Sequence, residues 1–172
     1  SQGADGLNRA VVAWLKTEPA GIERWRIVHQ TGGHGRDWVE RETASLAFPV
    51  EVRDFYEDLR PEYARASLVI ARAGAATLAE LALYGLPSWL IPFPQAADDH
   101  QRANAAVFAA AGAARVIEQD EATRGLTAAW SALQDEPAQL TQLSTAARGL
   151  SRPDAAVTVA AIIRDLVSAT TY

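Results

Sequence analysis

Five short β-prone runs, each breaking into a turn and then a helical pattern, constrain this chain more than any other feature. Arg24 to Gln30 runs into Thr31-Gly32-Gly33, and Val50 to Asp54 leads to a short helix near Pro61 to Arg65. Leu68 to Ala71 stops at Arg72-Ala73-Gly74-Ala75-Ala76, Ser88 to Ile91 exits through Pro92-Phe93-Pro94, and Ala113 to Ile117 is the last run. Between them lie helical patterns: Leu7, Ala10, Val11, Trp14 and Leu15 at the start, a polar segment from Asp37 to Leu46, and Leu78, Leu81 and Ala82 before Gly85-Leu86-Pro87. An Ala-rich stretch from Asp98-Asp99 towards Gly112 follows. From Ala122 onward the pattern is helical, with Leu126, Trp130 and Leu133, then Leu140 and Leu143, then Val157, Ala160, Ile163 and Val167 as predicted core faces. Such alternation predicts an α/β fold, a Rossmann-like doubly wound parallel sheet with a helical C-terminal segment. Ligands of such sheets bind at the carboxyl ends of the strands, where the polar and glycine-bearing loops of this chain fall.

The 172 residues suffice for one domain, residues 1–172, with a core that needs no staples. A net charge of −5 disfavours nucleic acid, whose binding relies on many Lys and Arg, yet permits a single phosphate group held by backbone amides. Cysteine is absent, which excludes a disulfide framework and a thiolate metal site. The longest apolar run, around Ala105 to Ala114, falls short of the roughly 20 residues of a transmembrane segment. A start at Ser1-Gln2-Gly3, without a signal pattern, suggests a chain that begins partway through a longer protein.

Four clusters carry candidate chemistry, each open to a second reading. Ala73-Gly74-Ala75-Ala76-Thr77 places small residues where a strand turns into a helix, so a diphosphate can approach the amides, or the residues only permit a tight turn. Thr77 and Glu80 share one helical side, which suits a carboxylate on a ribose diol, but they also spell a capping box. His100, Gln101 and Asn104 offer donors and acceptors to sugar hydroxyls, or form a solvated face. Ser1-Gln2-Gly3-Ala4 reads as a phosphate nest or a terminal cap. His29 and His34 have no carboxylate at ligand spacing, so no metal site is expected. The dinucleotide fingerprint, the Walker lysine motif and the nucleophile elbow are all missing, and no cofactor is expected.

Taken in order, Ser1-Gln2-Gly3-Ala4, His29-Gln30-Thr31-Gly32, Arg72-Ala73-Gly74-Ala75 with Thr77 and Glu80, Gly85-Leu86-Pro87, and His100-Gln101 with Asn104-Ala105 resemble the MurG-type glycosyltransferases. The resemblance covers the chain to about Gln119. It implies the C-terminal, UDP-GlcNAc-binding half of a GT-B enzyme with two facing Rossmann-like domains. The family transfers GlcNAc to lipid I, giving lipid II, from the cytoplasmic face of the membrane as a peripheral protein. By resemblance Ser1 and Thr77 contact the diphosphate beside Gly74 and Ala75, and Glu80 contacts the ribose. His100, Gln101 and Asn104 contact the GlcNAc or support its contacts, and Arg72 lines the cleft.

Two positions depart from the family. Tyr56 stands where relatives are commonly aliphatic and either stacks on the base or crowds it, and His100 stands where relatives often carry Gln. No catalytic residue is expected in this half. The base and the lipid I surface belong to the absent N-terminal acceptor domain. The family motif at Ser1 normally follows a strand that sits centrally in the doubly wound order, so its absence implies a gap in the sheet, unless the strand precedes Ser1 in the longer protein, another chain fills its place or the fold is rearranged. The alternatives are another GT-B half, such as a diacylglycerol glycosyltransferase or the catalytic half of a two-subunit GlcNAc transferase, or a non-catalytic nucleotide-sugar module. The latter acts by docking and would show an exposed apolar rim. A plain Rossmann-like domain that binds no nucleotide is the remaining alternative.

Overall fold

The computed structural model describes residues 2–96 and 99–169. Helix α1 (Gln2–Leu15) leads through a 3₁₀ turn to β1 (Ile27–Gln30), α2 (Arg36–Thr43) and β2 (Val50–Arg53). Then come α3 (Arg60–Tyr63), β3 (Val69–Ala71), α4 (Ala75–Tyr84), β4 (Ser88–Leu90), α5 (His100–Ala110) and β5 (Ala114–Val116). Three helices close the chain: α6 (Ala122–Asp135), α7 (Gln139–Gly149) and α8 (Ala155–Ala169). Every predicted strand forms, trimmed at its ends, and every pairing is parallel.

The sheet is divided. β1 pairs with β2, Ile27 opposite Val50, while β3, β4 and β5 form a second sheet with Val69 opposite Ser88 and Ser88 opposite Ala114. In the doubly wound order 3-2-1-4-5-6, taking away strand 1 leaves the pieces 3-2 and 4-5-6, which are the two sheets seen here. Burial follows the break. β4 is buried at all three positions, whereas β3, which begins the second sheet, is only half-buried at each of its three.

A tryptophan cluster joins the two sheets. Trp14 of α1 stands edge-on to Trp89 of β4 at 6.3 Å and to Trp130 of α6 at 5.8 Å between ring centroids. Trp25 adds a third edge contact to Trp130 at 5.4 Å, and the Trp130 indole donates to the Ala20 carbonyl. Ile27 and Val50 from one sheet, and Ile70 and Trp89 from the other, pack into this same core. A second cluster, with Leu78, Leu81, Leu90 and Phe108, fixes α4 and α5 against the three-stranded sheet. Helix α4 stops at Gly85, whose φ of 64° is left-handed, where Gly85 and Leu86 return their amides to the carbonyls of Ala82 and Leu81.

The final helix departs from the sequence expectation. Val157, Ile163 and Val167 are 71%, 56% and 64% exposed, and Ala160 is exposed as well, so the predicted core face of α8 is not in this core. Its apolar residues lie all round the helix, with Val159, Ile162 and Leu166 also exposed. The core on the α6 side is already filled by Leu126, Trp130 and Leu133.

Trp14 links helix α1 to the sheet through Trp89, and its indole nitrogen is buried without a hydrogen-bond partner. Trp14→Ala is expected to cost about 3–5 kcal/mol, and Trp14→Phe less than half of that, because the phenyl ring keeps the edge contacts and removes the unsatisfied donor. Urea unfolding of the two variants checks the ranking.

Candidate donor site at the carboxyl edge

The loops after β3, β4 and β5 and the start of α1 are tied into one surface by side chains the sequence had singled out. Arg72, at the end of β3, points its guanidinium across the strand ends and donates to the carbonyls of Ile91 and Pro92 at 2.9 and 3.1 Å. It also donates to the Gln119 side-chain oxygen and lies over the Phe93 ring at 5.4 Å. Half burial holds its pKa below the ordinary arginine value. Gly6 of α1 closes this group, since a Cβ there would sit 2.7 Å from the Gln119 oxygen and 2.9 Å from the guanidinium. Arg72 therefore braces three strand ends and the first turns of α1.

Gln101 and Asn104 brace α5 in the same way. The Gln101 side-chain oxygen accepts from the Phe93 amide at 3.0 Å, which leaves its NH2 as the donating end, and Asn104 donates to the Ala73 carbonyl at 3.1 Å. His100 opens α5 and is exposed. Arg102 ties the same turn to Glu118 at 2.8 Å. Asp98 lies outside the described residues. Asp99 is the residue before α5, in a left-handed conformation at φ 53°, and gives the helix no side-chain cap.

Between these braces sits the start of α4. Gly74 precedes it with an ordinary φ of −70°, and the helix has no side-chain cap. A Cβ on Gly74 would meet only the Thr77 hydroxyl oxygen, at 3.8 Å. Neither turn geometry nor packing requires glycine here, so the tight-turn explanation of the small residues fails at this position. The capping-box explanation fails too. Thr77 is the third residue of the helix rather than its cap, and Glu80, exposed, accepts a hydrogen bond from the Tyr63 hydroxyl at 2.9 Å. The amides of Ala75, Ala76 and Thr77 have no acceptor within the helix, and with the helix dipole they favour an anion.

The remaining predicted residues are placed differently. Ser1 lies outside the described residues, and the backbone is already helical from Gln2, so residues 2–4 form a first helical turn instead of a separate nest. Tyr56 is half-buried, with its hydroxyl oxygen buried and unpartnered; burial, then Glu51 and Glu62, raise its pKa. Its polar end is thus directed to the ion-pair cluster of Arg26 with Glu51 and Glu62. The described residues hold no cluster of metal-ligating side chains. A recess of about 570 Å³ lies beside Ser67 and Pro87 at the amino ends of β3 and β4.

On the β1 side a buried polar chain holds the next loop. Asn8 of α1 donates to the Thr31 carbonyl at 2.9 Å, which turns its oxygen to His29 Nε2, also at 2.9 Å, so the ring carries its proton on Nε2. Burial pushes the His29 pKa down to about 4.

The glycosyltransferase family 28 C-terminal domain model matches residues 1–159. The chain belongs to this family. The family 28 domain is 40% identical over 97% of its length to a protein of Anaeromyxobacter sp. (strain K) named "UDP-N-acetylglucosamine--N-acetylmuramyl-(pentapeptide) pyrophosphoryl-undecaprenol N-acetylglucosamine transferase", and covers 44% of that protein. A protein of the same name from Hahella chejuensis is 43% identical over 90% of this chain, which covers 43% of it. Among solved structures, Acinetobacter baumannii MurG superposes with a TM-score of 0.82 at 31% identity, over 95% of this chain and 47% of that one. The chain thus spans less than half the length of these relatives.

Three residues of the family 28 domain escaped the sequence reading. Gln119 carries only the signal of lying just past a strand end, Asn8 reads as a candidate cap near the helix entrance and not as a partner of His29, and nothing in the spacing of Tyr63 links it to Glu80, 17 positions away. For the Asn8–His29 pair the folded state binds fewer protons than the unfolded chain between pH 6.5 and about 4. Its stabilisation is complete above that window and is lost as pH falls through it, by about 1.4 kcal/mol per unit at most. Thermal unfolding at stepped pH is expected to show this fall in the unmodified domain and a flatter profile in His29→Gln.

Proposed function

We propose that this chain is the donor-binding domain of an inverting N-acetylglucosaminyltransferase that takes UDP-GlcNAc as donor and lipid I as acceptor, giving lipid II. The observation that carries the reading is Gly74: a glycine that neither the turn nor the packing needs, at the uncapped start of α4. A diphosphate at this point receives the amides of Ala75, Ala76 and Thr77, the Thr77 hydroxyl and the positive end of the helix, with Ser1, by resemblance, as a further contact. Glu80, one turn on, takes the ribose hydroxyls. Gln101 turns its NH2 end outward from the bond to Phe93 and, with His100 beside it and Asn104 bracing the loop, reads the sugar. The names of the relatives support the substrate pair, and the substrates, like the single-domain division at residues 1–172, are carried to this chain as a proposal.

In the transfer, the acceptor 4-hydroxyl oxygen bonds to the anomeric carbon from the face opposite the diphosphate. The bond from that carbon to the β-phosphate oxygen breaks, and its electron pair stays on UDP. The amides and helix dipole at α4 stabilise this growing negative charge. The acceptor proton goes to a base in the other half of the longer protein, so this chain binds donor and does not turn it over. No described helix is long and apolar enough to cross a membrane; by resemblance the longer protein is peripheral on the cytoplasmic face.

One observation favours a docking role: the exposed apolar residues of α8. A docking module of this kind also binds the nucleotide sugar, whereas a plain Rossmann-like domain binds no nucleotide by itself. Calorimetric titration with UDP, UDP-GlcNAc and ADP-glucose separates a donor site from a domain that binds no nucleotide, with the uridine ligands expected to bind and ADP-glucose not, and sugar transfer by the longer protein separates the donor domain from a non-catalytic module. Gly74→Ala is expected to weaken UDP about tenfold or more while leaving the melting temperature unchanged, because its methyl group fits the fold but occupies the place of the phosphate. Equal binding of ADP-glucose, or full affinity in Gly74→Ala, overturns the proposal.

A further inference from the structure

Among the described residues a hydrogen bond from Tyr63 fixes the candidate ribose carboxylate Glu80, and it comes from outside the loops that form the site. Helix α3 starts with Arg60-Pro61 and presents Tyr63 to α4, where the ring packs against Tyr84 at 5.5 Å and joins the core cluster around Leu78 and Leu81. The half-buried phenol reaches out of that core and donates to Glu80 Oε2 at 2.9 Å. Burial first, and then the Glu80 carboxylate, hold the Tyr63 pKa well above the ordinary tyrosine value, so it remains a donor throughout the neutral range.

Glu80 is exposed, and an exposed glutamate on a helix samples several rotamers unless something holds it. A carboxylate reads a vicinal diol only when its plane is directed at both hydroxyls. We propose that Tyr63 is a positioning residue: it fastens one carboxylate oxygen of Glu80 to the core, so that the other oxygen and the remaining lone pairs face the ribose diol, and thereby sets the preference for ribose over deoxyribose. This inference rests on the reading of Glu80 as the ribose contact. It adds a residue that no motif contains. Tyr63 touches no ligand in this scheme and acts through Glu80, with its rigidity supplied by Tyr84 and the cluster beneath.

The test compares UDP with 2′-deoxy-UDP by calorimetric titration of the unmodified chain, Tyr63→Phe, Glu80→Ala and the double variant, with melting curves for each. Tyr63→Phe keeps the ring and its packing on Tyr84, so its melting temperature is expected to stay within a few degrees of the unmodified chain. The unmodified chain is expected to prefer UDP about tenfold, a ratio in the range of one hydrogen bond to a charged group. Tyr63→Phe is expected to lose most of that preference while binding 2′-deoxy-UDP as before. The double variant should be no worse than Glu80→Ala, since the two residues act as one unit. A purely structural tyrosine would weaken both nucleotides alike, and that result overturns the inference. An unchanged preference in Tyr63→Phe overturns it as well, while loss in Glu80→Ala alone leaves the ribose contact standing. If Glu80→Ala also keeps the preference, or the unmodified chain binds neither nucleotide, the inference and the reading of Glu80 fall together.

Discussion

Trp14 packed edge-on between Trp89 and Trp130 is the contact on which the rest of this structure depends. The sheet is in two pieces that share no backbone ladder, so side-chain packing must hold them in one body. The apolar face of α1 does this from above, with Ile27 and Val50 on one side and Ile70 and Trp89 on the other. Aromatic rings suit the task because each buries a large area and still prefers a defined edge-to-face geometry. The same packing aims α1, and therefore its first turn, at the carboxyl edge.

Once α1 is aimed, polar groups complete the edge. Arg72 reaches the carbonyls after β4 and the Gln119 side chain after β5, while Gly6 lets α1 approach the same point. Asn104 and Gln101 attach the start of α5 to the loops after β3 and β4. These bonds satisfy loop carbonyls and amides that would otherwise compete for a ligand's groups. They leave the uncapped amides at the start of α4 as the prominent unsatisfied donors of a rigid rim, which is the arrangement that anion recognition needs.

Much of this was legible in the chain itself. The five strands and the helices between them follow from apolar periods and turn residues, and the trimmed ends are the usual fraying of short elements. The loops that carry Gly74, Gln101 and Asn104 were placed at the carboxyl edge by the alternation alone. The function of each side chain was less legible. Arg72 read as a cleft-lining group and Asn104 as a sugar contact or a support for one, and both use donors on backbone carbonyls 19 to 31 positions away. For Thr77 and Glu80 the capping box was an equal alternative, and the structure removed it by starting α4 at Ala75 and giving Glu80 to Tyr63. At α8 the apolar period described a helix correctly and its surroundings incorrectly, because a period states which residues share a side and not what covers that side.

The sequence by itself determined the element types, their order and the parallel sense of the sheet, since all of these rest on local periodicity, turn chemistry and general rules of connection. The tertiary structure alone decided which polar side chains hold the rim and which remain for a ligand, where Tyr63 sends its hydroxyl, and that α8 stays outside the core. Those outcomes turn on contacts between residues far apart in the chain, whose distances arise only when the helices have packed on the sheet.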